Sequence, residues 1–192
     1  MSETLEFRRI NEIEEKIIIT SLTKISSDFQ QIINNFKKFL YFSTESLTSR
    51  SIFPNIFLIS KDQYTLLQSL KSDRIISAGL YFGFIKKGNF HISLEGAEFL
   101  YKNNKLSSFR RIYVNDKGEK SILYGNNILK NMIIKFPISL RKKDLLLVIN
   151  KYEEVLALIR SKFDYQDIQE VKPKDIIAIN LIDKGIYLRV SQ

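Results

Sequence analysis

The chain has 192 residues, 44% of them hydrophobic, enough for one large globular domain or two small ones. Its 30 Lys and Arg against 21 Asp and Glu give a formal net charge of +9, which fits either a polyanionic partner such as nucleic acid or a soluble protein with a basic surface. The absence of cysteine excludes disulfides, thiol catalysis and cysteine metal sites. With no Trp and abundant Ile and Lys, the composition leans towards a heat-adapted source. The start, MSETLEFRRINEIEEK, is charged throughout and has no signal-peptide character. No apolar run approaches the roughly 18 residues of a membrane helix, so a cytoplasmic protein without membrane contact is expected.

Residues 4–20 read as an amphipathic helix, with Leu5, Ile10, Ile13 and Ile17 near helical spacing. SSDFQQIINNFKKFLYF reads as a second helix capped by Ser27 or Asp28, with Phe29, Ile32, Ile33, Phe36 and Phe39 as its apolar stripe. STESLTSRS is a polar loop. SIFPNIFLIS suits a strand or strand pair, which Pro54 confines to an edge or a kink. Ser60 and Gln63 form a capping box for a helix from Lys61 to about Leu70. RIISAGLYFGFIKKGNFHISL predicts two strands with a turn at Lys87-Gly88-Asn89, and Ser93 caps a helix through LEGAEFLYKN.

A domain boundary is expected at the polar NNKLSS, dividing 1–107 from 108–192. Beyond it, RRIYVNDKGEKSILYG predicts a strand, a turn at Asp116 to Gly118 and a second strand. NNILKN, IIKFPIS, RKKD, LLLVINKYEEVLALIRS and DIIAINLIDKGIYLRV follow as short β-rich runs with turn residues between, the pattern of a small barrel or sandwich. Residues 1–105 hold 14 basic and 11 acidic residues, whereas 106–192 hold 16 and 10. The basic excess therefore falls on the β-rich part.

Catalytic constellations are missing. The only histidine, His91, sits in the alternating stretch NFHISL and is expected to be structural. Gly79 and Gly83 lack the spacing and strand-helix context of a dinucleotide loop, and there is no Walker loop or GxSxG turn. Glu14-Glu15 and Glu153-Glu154 read as solvated charge. No cofactor, no metal and no enzyme activity are expected.

One junction raises a question. In SILYGNNILKN, Gly125 permits positive φ or close approach of another backbone, and Asn126 or Asn127 suits a helix cap. Such a junction is either structural or a place where backbone N–H groups meet a phosphate.

LYGNNILK, Leu123 to Lys130, resembles the LYGN-x-VLK signature of the Nip-seven ribosome-biogenesis family, in its archaeal two-domain form. RIISAGLYFGFIKKGNFHISLEGAEFL resembles a second family segment, with Ser77, Gly79, Phe82 and Gly83 in register, and Gln166-Asp167 and Val171 to Pro173 fit as well. The resemblance spans roughly residues 55 to 190. It implies an α+β fold: an N-terminal antiparallel sheet with flanking helices over 1–107, then a C-terminal PUA pseudobarrel over 108–192. The implied role is a non-enzymatic, monomeric RNA-binding factor for the large ribosomal subunit. It would act on precursor rRNA, including single-stranded uridine-rich RNA, with other assembly proteins docking on the N-terminal domain. The chain departs from the family at Met132 and in VLALI, Val155 to Ile159, where members carry glycines. The alternative is thus a PUA-fold protein-interaction adaptor with weakened RNA binding.

The resemblance and the charge pattern together nominate RNA-contacting residues. Arg160 and Lys162 follow the VLALI strand, and Lys172 and Lys174 flank Pro173. Arg141, Lys142 and Lys143 form a basic cluster, and Lys130 follows the glycine junction at Gly125. Tyr165 and Tyr124 are the candidates for stacking on bases.

Overall fold

The computed structural model describes residues 7–26, 28–44, 53–70, 75, 77–103 and 110–189. The chain divides into two compact units, Met1–Ser107 and Ser108–Gln192.

In the first unit, strands β1 (Phe7–Arg9), β2 (Leu40–Ser43), β3 (Asn55–Leu58), β4 (Leu80–Lys86) and β5 (Asn89–Ile92) form an antiparallel sheet in that order. Helices α1 (Glu12–Thr23), α2 (Phe29–Phe36), α3 (Lys61–Ser69) and α4 (Leu94–Lys102) accompany it. The helix predicted over residues 4–20 is corrected: Phe7–Arg9 pairs with Tyr41–Ser43, and α1 starts only at Glu12. The physical reason is a reciprocal cap. Asn11 Oδ1 accepts the Glu14 N–H at 2.9 Å and Glu14 Oε2 accepts the Asn11 N–H at 2.8 Å, which closes the helix start. Arg8 then clamps the same carboxylate at 2.8 and 2.9 Å. Ile18 and Leu22 are buried, Ile13 is exposed, and Leu5 lies outside the described residues.

The second helix is shorter than predicted. Phe29, Ile32, Ile33 and Phe36 are buried as the stripe implies, but α2 stops at Phe36, and after a single 3₁₀ turn Leu40–Ser43 forms β2. Every β2 residue is buried. A strand covered on both faces loses the alternation that identifies strands, so FLYF looks like a helix end. Tyr41 packs with Phe7, Phe57 and Ile59 under Tyr64 and Leu67 of α3. Phe39 joins this cluster rather than the α2 stripe. β3 is an inner strand, not an edge. Pro54 stands just before it, and its carbonyl accepts the Ile85 N–H at 2.9 Å. The Ser60–Gln63 capping box, the hairpin at Lys87-Gly88 and the Ser93 cap match the sequence reading. Ser27 and most of STESLTSRS and NNKLSS lie outside the described residues.

In the second unit, β6 (Arg111–Val114), α5 (Asp116–Leu123), β7 (Ile128–Leu129), β8 (Ile133–Lys135), β9 (Leu145–Ile149), β10 (Val155–Ser161), α6 (Tyr165–Glu170), β11 (Ile176–Asp183) and α7 (Ile186–Arg189) follow in chain order. The sheet runs β7-β11-β10-β9-β6-β8, with only β6 and β9 parallel. Its two margins, β7 and β8, are joined by a 3₁₀ turn at Lys130–Met132, so the sheet curls into a nearly closed barrel. The core is aliphatic, built from residues such as Ile112, Val114, Ile122, Val148, Ile159 and Ile177.

Two predicted strands here are helices. Asn115 Oδ1 accepts the Gly118 N–H at 2.9 Å and starts α5, so KSIL is helical. Gly118 is not a turn residue but a contact residue: a Cβ there would lie 2.9 Å from Met132 Cβ and 3.0 Å from Val114 Cβ. IYLR likewise forms α7 instead of a strand. His91 stacks on Phe84 at 5.0 Å. Among the described residues, no helix is long and apolar enough to cross a membrane, and no three His, Asp or Glu gather as a metal site.

Burial, and secondarily the Glu95 carboxylate, push the Tyr81 phenol up to about 12. Above pH 10 the unfolded chain gives up this proton while the folded chain holds it, so stability falls as pH rises through the window from 10 to about 12. Tyrosinate absorbance is expected to show a phenol titrating near 12 that disappears in Tyr81→Phe, and alkaline unfolding of that variant should be less steep.

Candidate nucleic-acid interface

Strands β9 and β10 form a hairpin whose open end carries the densest charge in the chain. Arg141 to Lys143 cross this end as a turn, closed by the Asp144 N–H on the Arg141 carbonyl at 3.1 Å. Three consecutive cations repel each other, and two carboxylates hold the turn together from beneath. Asp144 Oδ2 accepts the Arg141 N–H at 2.6 Å and pairs with Arg110. Asp164 Oδ1 accepts the Lys142 N–H at 2.8 Å. The Lys143 N–H donates to the Ser161 carbonyl at 2.9 Å, which ties the turn to the end of β10. Lys143 has φ +72°, a left-handed conformation that glycine would normally supply at the third residue of such a turn.

The side chains of Arg141, Lys142 and Lys143 are exposed, and none forms an ion pair among the described residues. Arg160 is the one exposed residue of β10, facing out where it pairs with Ile179 of β11 and Leu145 of β9. Lys162 follows; its N–H donates to the Ile177 carbonyl at 2.9 Å, and its ammonium lies 5.9 Å from the Phe163 ring. Lys172 and Lys174 occupy the turn just before β11, exposed and likewise without an ion pair among the described residues. The structure thus brings Arg141, Lys142, Lys143, Arg160 and Lys162 to one barrel end, with Lys172 and Lys174 on the approach to the neighbouring strand. Ile179 and Leu181 stay partly exposed on the outer face of β11, at 38% and 43%.

Three nominated residues have other work. The Lys130 ammonium donates to the carbonyls of Gln169 and Val171 at 2.7 Å each, closing the end of α6. Tyr165 is half-buried, its ring tilted against Phe136 at 5.6 Å and packed on the core, which leaves little face for a base. Gly125 follows a helix rather than preceding one. Its N–H donates to the Ile122 carbonyl at 2.8 Å and the Asn126 N–H to the Ser121 carbonyl at 3.1 Å, a Schellman motif with Gly125 at φ +88°. Asn127 caps no helix; its Oδ1 accepts the Asn180 N–H at 3.0 Å. Tyr124 is 77% exposed beside this turn. What approaches Gly125 is the Arg189 guanidinium, 3.2 Å from where a Cβ would stand. Arg189 is fixed by the buried Asp183 at 2.9 and 3.0 Å and also donates to the Leu123 carbonyl. Nothing in the sequence around Arg189 announces this clamp, since Asp183 and Leu123 reach it only through the fold.

At the positions where a glycine seemed lost, Met132, Ala157 and Ile159 are all buried. Their side chains fill the interior and add nothing to the exposed face.

A two-domain protein ending in a PUA barrel with a basic end is therefore what fold and surface define. Residues 7–94 match the NIP7/UPF0113 pre-PUA domain and residues 110–192 the UPF0113 PUA domain; the chain belongs to the NIP7/UPF0113 family. It is 29% identical over 112 residues to a UPF0113 protein of Archaeoglobus fulgidus, a match covering 58% of this chain and 61%, under two thirds, of that protein. It is 26% identical over 145 residues to the yeast 60S ribosome subunit biogenesis protein NIP7, covering 71% and 78% of the two chains. In fold it is similar to a hypothetical protein of Pyrococcus horikoshii, at TM-score 0.65 and 15% identity over 97% of this chain and 99% of that one. A conserved PUA domain protein of Thermoplasma acidophilum is similar at TM-score 0.62 and 14% identity, with the same coverage of 97% and 99%.

Gly125→Ala is expected to destabilise the protein by about 1–2 kcal/mol in thermal unfolding, because the left-handed backbone penalises a Cβ. Gly125→Asn should cost less, since asparagine tolerates this conformation.

Proposed function

We propose that the protein is a non-enzymatic RNA-binding factor in assembly of the large ribosomal subunit. In this reading the basic barrel end holds precursor rRNA, and the first unit docks assembly proteins. The observation that carries the reading is the set of seven exposed cations, Arg141, Lys142, Lys143, Arg160, Lys162, Lys172 and Lys174, without ion pairs among the described residues while Asp144 and Asp164 hold backbone N–H groups. Cations arranged this way suit phosphates, whose binding releases counterions. The name of the yeast relative, a 60S ribosome subunit biogenesis protein, supports the process. The buried state of Met132, Ala157 and Ile159 argues against the adaptor alternative, because the departures from the family leave the outer surface untouched.

Fluorescence anisotropy with a uridine-rich single-stranded RNA at several salt concentrations tests this. If all seven cations meet phosphates, log K is expected to fall against log salt with a slope approaching about −5. Arg160→Glu should weaken binding and reduce the slope by roughly 1. Lys143→Gly is the sharper variant: it relieves the left-handed backbone strain, so the melting temperature is held or raised while RNA binding drops. Binding that ignores salt and both substitutions would return the search to protein partners.

A further inference from the structure

Among the described residues, three that are not glycine have a positive φ: Lys87, Lys143 and Glu153. Two of these are lysines at exposed turns, one in each unit. Lys143 belongs to the basic barrel end, whereas Lys87 stands in the first unit, away from that set. With φ +49° at Lys87 and +70° at Gly88, the β4–β5 hairpin closes in a two-residue turn whose central residues are both left-handed. Asparagine or aspartate before the glycine costs such a turn least, because a short polar side chain tolerates this backbone. What lysine adds at this position is an ammonium, and a residue kept against its backbone preference points to use of its side chain.

The tip is open and firmly based. Residues Lys86 to Asn89 are all exposed, and a Cβ on Gly88 would have no atom within 4 Å. Lys86 pairs with Asn89 across the hairpin, and the Asn89 Nδ2 donates to the Lys87 carbonyl at 3.1 Å. Further down the ladder Phe84 pairs with His91, and their rings stack at 5.0 Å. Phe53 stacks on Phe84 at 6.1 Å, and the Lys86 ammonium lies 4.5 Å from the Phe53 ring centre. That ring steadies a long side chain without neutralising its charge. Neither Lys86 nor Lys87 has an ion pair among the described residues.

Two adjacent, unneutralised ammoniums on a stiff, open turn suit a partner with repeated negative charge. An acidic protein segment and a phosphate backbone both offer that. Protein interfaces centre on apolar side chains that lose their water, and the tip, Lys-Lys-Gly-Asn, has none to offer. Phosphate contacts need only cations and are driven by counterion release. We propose that the β4–β5 hairpin tip is a second RNA-contacting site, where Lys86 and Lys87 meet backbone phosphates without reading bases. The proposal rests on the RNA reading of the barrel end and adds a contact that the other unit makes.

The experiment titrates a uridine-rich single-stranded RNA into the isotope-labelled full chain at several salt concentrations and follows backbone amide resonances of both sites. Lys87, Gly88 and Asn89 are expected to shift, and to shift less as salt is added. Lys87→Asn should hold or raise the melting temperature, because asparagine suits the turn. It should also reduce the slope of log K against log salt at the tip by about 0.7, and combining it with Lys86→Gln should reduce the slope by about 1.4. In Arg160→Glu, shifts at the barrel end are expected to fade while those at the tip persist, which separates the two sites. Tip amides that stay still while barrel-end amides move would overturn this proposal and spare the RNA reading; stillness at both sites would overturn both. A slope unchanged by the paired substitutions would also overturn it. Tighter binding of polyglutamate than of RNA at the tip would overturn it in favour of an acidic protein partner.

Discussion

The arrangement at the barrel end depends on where two carboxylates point. Asp144 and Asp164 accept backbone N–H groups of Arg141 and Lys142, and Asp144 also holds Arg110. Had these carboxylates turned outward, they would have neutralised the cations beside them. Bound to backbone, they rigidify a turn that mutual repulsion would otherwise open. They also leave the positive side chains facing solvent, where a charge reaches over roughly a Debye length. The same two residues thus shape the turn through its backbone rather than by pairing with its cationic side chains.

This division of labour extends through the unit. Lys130 and Arg189 are cations of the same sequence neighbourhoods, yet each ends on main-chain carbonyls or a buried carboxylate. They hold α6 and the α5–β7 junction in place. Charge count alone does not separate the two groups; partner geometry does. The glycine at the LYGN junction belongs with the second group, since its positive φ ends α5 and its missing Cβ leaves room for Arg189.

Much of the fold was legible where signals are local. The Ser60–Gln63 box, the Lys87-Gly88 hairpin and the Ser93 cap each involve residues within four positions of one another, and each is where the chain implies. Misreadings came from distant partners. β1 is a strand because Tyr41–Ser43 lies beside it, and β2 looks helical because both of its faces are covered. SILY looks like a strand from its β-branched and aromatic residues, but Asn115 and the tight packing of Gly118 on Met132 make most of it helix. In the candidate site, the basic residues could be named from sequence but not sorted. Nothing local says that Tyr165 leans on Phe136, or that the Lys130 ammonium reaches Gln169 and Val171.

The two sheets differ in how their strand order relates to the chain. In the first unit the spatial order β1-β2-β3-β4-β5 follows synthesis, so each strand finds its partner already made. In the second unit β11 lies between β7 and β10, and β6 pairs with β8 and β9. The barrel therefore cannot close until residues 176–183 are available: β9 and β10 pair locally, but β6 must wait for β9, and β7 for β11, across long stretches of chain. During translation the strands of the first unit all emerge before those of the second, whose early strands then wait exposed for β11. The protein's window of vulnerability to aggregation thus falls in the last stage of making this unit.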